Sequence, residues 1–85
     1  MDISRSEQRV LHALAQGGAI QPIRNDAGKL DAVQCFTRDG WLMHGLDLRL
    51  FHKLRRRKAI ASRQGGPYLI TRRGLELVRS EYDNR

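Results

Sequence analysis

The sequence predicts a small single domain of the α+β class, with the element order helix, β-hairpin, helix, β-hairpin, helix. Apolar residues at three- and four-residue spacing alternate along the chain with stretches of two-residue spacing, and glycine-containing turn signals separate them. The chain has 85 residues, of which 40% are apolar and 29% charged. That length allows one hydrophobic core, so residues 1–85 are interpreted as one domain.

A capping box marks the start of the first helix. Ser4 and Glu7 are three residues apart, the spacing at which each side chain pairs with the backbone N–H of the other. Apolar residues then repeat on one side of the helix through Leu14, and Gly17 follows as a stop signal. An amphipathic helix of about three turns is predicted here.

Two hairpins are predicted where short runs of strand-forming residues flank turn residues. Residues 19–36 form the first, and Pro22 predicts that its strand lies at a sheet edge or starts late, because proline has no N–H to donate. Residues 59–71 form the second, with Gly65 and Gly66 at the turn. A short third strand is expected at residues 41–43.

A second helix is predicted to begin after Asp47, its N-cap, and to end near Lys58. Leu50, Phe51 and Leu54 fall within an arc of about 100°, which makes this side the buried one. The opposite side is cationic and carries Arg49, His52, Lys53 and Arg56.

Thr71 is expected to cap a third helix, on which Leu75, Val78 and Tyr82 repeat at three- and four-residue spacing. The second half of the chain, a basic helix, a glycine-tipped hairpin and a helix, is similar to the recognition helix and wing of winged helix-turn-helix domains. The first half departs from that pattern, because a hairpin stands where those domains have a helix.

Charge is the strongest functional signal in the sequence. Sixteen Lys and Arg against nine Asp and Glu give a formal net charge of +7. Residues 48–75 contain nine of the sixteen cations and none of the nine acids. A solvated helix face is often cationic by chance, but an acid-free stretch of this length favours binding to a polyanion or an acidic protein surface.

The candidate binding site is therefore a basic face on the second helix, the second hairpin and the start of the third helix. It comprises Arg49, Lys53, Arg56, Arg63 and Arg72. Its partner is left open at this point between nucleic acid, bound through phosphates, and an acidic protein surface, for which Trp41 or Met43 would supply an apolar anchor.

Residue patterns for catalysis and for metal binding are not found in the sequence. Cys35 is the only cysteine, and it falls on the apolar side of a predicted strand, where a thiol packs as a small core residue. The three histidines are scattered and show no metal-ligand spacing. We predict a non-enzymatic protein with no catalytic residues, no metal and no cofactor. Neither a membrane span nor a signal peptide is recognisable, which predicts a cytoplasmic location and no membrane partner.

Residues spread from end to end resemble the YjhX family of bacterial proteins. They are Ile3–Ser4, Glu7–Gln8, Leu11–His12, Leu14–Ala15, Val33, Cys35, Phe51, Lys53–Leu54, Lys58, Ile60, Gly66–Pro67–Tyr68, Ile70 and Asp83–Asn84–Arg85. The resemblance implies the toxin of a type II toxin–antitoxin pair, which binds and inhibits DNA topoisomerase I. It also implies a cognate antitoxin that is acetyltransferase-like.

Two other functions are compatible with the sequence. The helix and wing pattern favours a winged-helix DNA-binding transcriptional regulator, which would bind duplex DNA with a steep salt dependence and a sequence preference. A small structural or assembly module would instead form a stable homodimer and would not be toxic when expressed.

Overall fold

The computed structural model describes residues 3–83, and the side chains of residues 3–79. The elements are α1 (Arg5–Ala15), β1 (Ala19–Arg24), β2 (Leu30–Phe36), β3 (Leu42–Met43), α2 (Leu48–Arg56), β4 (Ile60–Ser62), β5 (Tyr68–Ile70) and α3 (Arg72–Asp83). The predicted α+β class, the predicted element order and the short third strand are confirmed.

The capping box predicted for α1 is present. Glu7 N donates to Ser4 Oγ at 3.1 Å, and Ser4 N donates to Glu7 Oε1 at 2.9 Å. Two backbone N–H groups at the helix start are thereby satisfied. Val10, Leu11 and Leu14 are buried on the side that faces the core. The helix ends where Gly17 adopts a positive φ of 108°.

The five strands form one antiparallel sheet in the order β3-β2-β1-β5-β4. The prediction that Pro22 marks an edge strand or a late start is wrong, since β1 lies in the middle of the sheet and begins at Ala19. The register of β1 with β5 is a single pair, Ile20 with Tyr68. Beyond Ile20, β1 pairs with β2 alone and tolerates a proline as an edge strand does.

The core draws on all three helices and on β1, β2 and β4. Phe51 of α2 is fully buried, and its ring meets the Tyr68 ring of β5 edge-on, with centroids 4.9 Å apart and an angle of 87° between the planes. Cys35 is also fully buried in this core, as predicted. The α2–β4–β5 segment is therefore anchored by aromatic packing.

The buried face of α3 agrees with the prediction at Val78 and differs from it at Leu75. Leu77 and Val78 are buried, whereas Leu75 is 37% exposed. Gly74 sets this rotation, because it is buried with its Cα close to the carbonyl oxygen of Ala59. Gly74, residue 77 and residue 78 lie on one side of a helix, and residue 75 is turned away by 100°. The predicted contribution of Tyr82 concerns a side chain outside those described.

The close approach at Gly74 predicts a large effect of Gly74→Ala. An added Cβ would meet the Ala59 carbonyl oxygen and lie 2.6 Å from Ile70 Cγ1. Alanine normally favours a helix by about 1 kcal/mol over glycine. Here we expect a net loss of about 2–3 kcal/mol in the free energy of unfolding, measured by urea denaturation, because backbone cannot move aside as a flexible side chain can. Unchanged or increased stability would contradict this packing.

Candidate cationic interaction site

The orientation of α2 follows from its cap and its two buried residues. Asp47 Oδ1 accepts a hydrogen bond from Leu50 N at 2.8 Å, which fixes the helix start as predicted. Phe51 and Leu54 are fully buried on the inner side. The outer side is consequently cationic. Arg49, His52 and Arg56 are exposed, as the helical wheel predicts, and Lys53 is half-buried.

The chain turns sharply where α2 ends. Ala59 N donates to the carbonyl of Leu54 at 3.0 Å, and Lys58 N donates to that of Arg55 at 2.9 Å. This pair of bonds is a Schellman motif, in which the residue after the helix cap takes a left-handed conformation. Lys58 occupies that position with a φ of 59°. Glycine is the usual residue there, so a lysine is unusual.

This turn brings cations of α2 next to α3. Arg56, Arg57, Lys58 and Arg73 line one open concavity of about 700 Å³, which we call the cationic groove. Three consecutive residues of a continuous helix would point in three directions. Arg56 is instead the last residue of α2, and the left-handed turn redirects the chain after it. Sequence reasoning missed Arg57, Lys58 and Arg73 as site residues, since only the turn and the packing of α3 bring them together.

The five residues of the candidate basic face occupy several places. Arg49 and Lys53 line a smaller cleft of about 270 Å³, which also includes Asp47. Arg56 lies in the cationic groove. Arg63 is exposed in the loop between β4 and β5, and Arg72 is exposed at the first turn of α3. Their joint action in binding stays a prediction.

A buried carboxylate links α1 to α2. Glu7 is fully buried, and its Oε1 lies 3.1 Å from Lys53 Nζ while its Oε2 lies 2.9 Å from Arg57 Nε. Oε2 accepts no hydrogen bond, so the contact with Arg57 is an ion pair without hydrogen-bond alignment. The capping motif indicated that Glu7 starts a helix. Its second role as counter-ion was not predicted, because it depends on a contact between distant helices.

The pKa of Glu7 reflects opposing effects. Burial alone would raise it, but the hydrogen bond from Ser4 N, the contact with Lys53 and the nearby charge of Arg57 together lower it below the ordinary value of 4.5. Glu7 is therefore ionised at neutral pH and compensates the charges of Lys53 and Arg57. Lys53 keeps 43% of its side chain exposed and Arg57 keeps 20%.

Arg55 contacts aromatic rings. Its guanidinium carbon lies 5.8 Å from the centroid of the Phe51 ring and 5.7 Å from that of the Tyr68 ring. Both distances are typical of cation–π contacts. Arg55 thus covers the aromatic contact that anchors α2 on β5.

Exposed apolar side chains lie at the other edge of the sheet from β4. Trp41 is 72% exposed and Leu42 is 44% exposed, at and next to the edge strand β3. Met43 is partly buried against the core. Of the two predicted anchor residues, Trp41 is therefore the accessible one.

Reactive groups in the described part of the chain are few. Burial raises the pKa of the Cys35 thiol, which keeps it protonated and unreactive. Among residues 3–79, His, Cys, Asp and Glu form no cluster of three that could hold a metal ion. Within residues 3–83, no helix is long and apolar enough to cross a membrane.

The family model described as "Putative toxin of bacterial toxin-antitoxin pair" matches residues 1–85. The chain belongs to this family, the YjhX toxins. It is 63% identical to a UPF0386 protein of Hyphomonas neptunium over 99% of both chains. It is 64% identical to one of Rhizobium etli and 60% identical to one of Agrobacterium fabrum, each over the full length of both chains. No solved structure matches it significantly. Membership of this YjhX family implies a cognate antitoxin as a partner.

The buried ion pairs of this YjhX toxin predict a pH-dependent effect of Glu7→Gln. Glutamine also serves at the third position of a capping box, so the change removes mainly the charge. We expect the free energy of unfolding to fall by about 2 kcal/mol at pH 7, because charged hydrogen bonds and ion pairs are lost. The return of Lys53 and Arg57 to solvent offsets part of that loss. Urea denaturation at several pH values measures the difference.

The sign of the pH dependence follows from the lowered pKa of Glu7. Stabilisation by the ionised carboxylate is complete above the ordinary value of 4.5 and is lost as the pH falls through the lower, folded-state value. Wild type and Glu7→Gln should therefore converge in stability at acid pH. Glu76→Gln, at an exposed position of α3, is the matched control and should change stability by less than about 0.5 kcal/mol. Equal effects of the two substitutions would contradict the assigned role.

Proposed function

We propose that this toxin acts by binding DNA topoisomerase I and obstructing it, without catalysing a reaction itself. The supporting observation is the large excess of exposed cations on α2, the β4–β5 loop and the start of α3. Such a surface attracts an acidic region of a protein partner and accelerates encounter. Binding and obstruction need only complementary surfaces and require no catalytic group.

Affinity for a protein also needs an apolar contact, because exposed charges mainly increase the rate of association. Trp41 provides it. Tryptophan is enriched among the residues that dominate binding energy at interfaces, and here it is largely exposed beside Leu42. The proposed complex thus combines steering by the basic face with anchoring by Trp41.

Lys53 is expected to contribute less to partner binding than its neighbours on α2. Its Nζ is 3.1 Å from a buried Glu7 oxygen. If Lys53 turned away to contact a partner, the buried charge of Glu7 would lose a counter-ion, which costs free energy. Arg49, Arg56, Arg63 and Arg72 form no ion pair with any described carboxylate. These four are the residues of the basic face that are proposed to contact topoisomerase I.

The antitoxin is proposed to block the same two features, the basic face and Trp41. A partner that covers the basic face or Trp41 would prevent contact with topoisomerase I without altering the toxin chemically. The acetyltransferase-like antitoxin implied by the family resemblance belongs to this proposal as the protein to test for such competition.

The proposal predicts separate effects of charge and of the apolar anchor. Arg49→Glu combined with Arg56→Glu should raise the toxin concentration for half-maximal inhibition of supercoil relaxation by about tenfold, since steering is reversed. Trp41→Ala should weaken binding to purified topoisomerase I by about 2 kcal/mol, close to thirtyfold. Inhibition is measured by relaxation assays. Binding is measured in the absence of DNA, with topoisomerase I immobilised on a surface.

Lys53 is left unchanged in these variants. A glutamate at position 53 would face Glu7, and repulsion between the two carboxylates would unfold the protein whether or not Lys53 contacts a partner. Arg24→Glu with Arg38→Glu gives the same change in net charge at two exposed residues outside the basic face. This control should leave inhibition within about twofold of wild type. Full inhibition by the Arg49 and Arg56 variant, or no binding of the enzyme without DNA, would refute the proposal.

A further inference from the structure

We propose that the cationic groove of Arg56, Arg57, Lys58 and Arg73 binds the phosphate backbone of duplex DNA. This goes beyond binding to topoisomerase I, which requires no nucleic acid. The groove shares Arg56 with the basic face, whereas Arg57, Lys58 and Arg73 lie outside the set proposed to contact topoisomerase I. Four positive side chains around one open concavity of about 700 Å³ are the basis of the inference.

The groove has more positive charge than the fold neutralises. Glu7 is its one described counter-ion, and it is shared between Arg57 and Lys53. Arg56, Lys58 and Arg73 are exposed and form no ion pair with any described carboxylate. Like charges around one concavity repel each other, which opposes the favourable interaction of Arg56 and Lys58 with the C-terminal end of the α2 dipole. A bound polyanion would turn this repulsion into attraction.

Two of these cations occupy positions where another residue would suit the fold better. Lys58 is in the left-handed conformation after α2, where glycine avoids the steric cost of a Cβ. Arg73 lies in the first turn of α3, where the helix dipole disfavours positive charge and where the chain places no acidic residue. The dipole of α2 favours a cation after its C-terminus, but the left-handed conformation disfavours lysine at position 58, and local structure gives no reason for an arginine at position 73. Contact with an external anion accounts for both residues.

The lining of the groove favours phosphates over an acidic protein. Stable protein interfaces are centred on apolar or aromatic side chains, with charges mainly at the rim. The groove is lined by cations, whereas the exposed anchors Trp41 and Leu42 lie by β3, at the opposite sheet edge from β4. Phosphate contacts need only positively charged donors, and arginine can bind a phosphate through two parallel hydrogen bonds.

The aromatic residues of α2 and β5 favour a duplex over a single strand. Proteins that bind single strands stack bases on exposed aromatic rings. Phe51 is fully buried, and the Tyr68 ring is packed against Phe51 and covered by the Arg55 guanidinium. Backbone contacts alone carry little sequence information, so binding should be largely independent of sequence. The choice of DNA over RNA rests on the proposed function, in which the target enzyme acts on DNA.

The test uses Lys58→Gly in the full-length toxin and a fluorescein-labelled 20-base-pair DNA duplex, followed by fluorescence anisotropy without topoisomerase. For wild type, the logarithm of the binding constant should fall with the logarithm of salt concentration with a slope of about −3, as for three to four neutralised phosphates. Lys58→Gly should weaken binding about fivefold and make the slope less steep by about 1. Its thermal midpoint should rise by about 4 °C, since glycine suits the left-handed position.

Gln64→Gly is the matched control. Gln64 is the other described non-glycine residue with a positive φ, 55°, and it lies in the β4–β5 loop. Its replacement should raise the thermal midpoint similarly and leave DNA affinity and salt slope unchanged. Arg56→Gln with Arg73→Gln should weaken DNA binding by more than about tenfold. Arg24→Gln with Arg38→Gln removes the same charge outside the groove and should change it by less than about twofold.

Several results would overturn the inference, and all but one of them, the measurement of topoisomerase binding, are obtained without the enzyme. Unchanged DNA affinity in Lys58→Gly would do so. A loss of DNA affinity in the Arg24 and Arg38 control equal to that in the Arg56 and Arg73 variant would also do so, because it would indicate attraction by net charge alone. Equal or tighter binding of a duplex RNA would reject DNA as the ligand. Loss of topoisomerase binding in Lys58→Gly with DNA binding intact would assign the groove to an acidic protein surface. Failure of topoisomerase inhibition with DNA binding as expected would refute the proposed function alone.

Discussion

The contact of one buried carboxylate with two cations determines how this domain presents its charge. Glu7 starts α1 as part of the capping box and also pairs with Lys53 of α2 and with Arg57, the C-cap of that helix. A buried ion that lost its partners would be costly, so α1 and α2 are constrained to one relative position. The position of α2 then fixes which of its cations are engaged within the fold and which remain available to a partner.

The free cations and the exposed apolar residues lie on different parts of the sheet. The end of α2 leads into β4 at one edge, and Trp41 precedes β3 at the other. The proposed protein anchor at Trp41 is therefore separate from the cationic groove, although Arg56 belongs to both the groove and the basic face. An antitoxin could block either surface.

The aromatic contact beneath α2 gives the cationic region a rigid support. Phe51 is fully buried against Tyr68, and Arg55 covers both rings. The Schellman motif then fixes the direction in which Lys58 leaves the helix. Cations on such a support are pre-organised, so less conformational entropy is lost when they bind an anion. Unneutralised charge is tolerated because packing beneath it supplies the stability.

The sequence by itself determined the α+β class, the order of the elements, the cap at Asp47 and the cationic outer side of α2, because these depend on spacing and on neighbouring residues. The tertiary structure alone decided the rest. It placed β1 in the middle of the sheet despite Pro22, rotated α3 so that Leu75 is exposed, and made Glu7 a counter-ion. It also joined Arg73 to the end of α2 in one groove. Each of these features depends on contacts between residues distant in the chain, for which local spacing carries no signal.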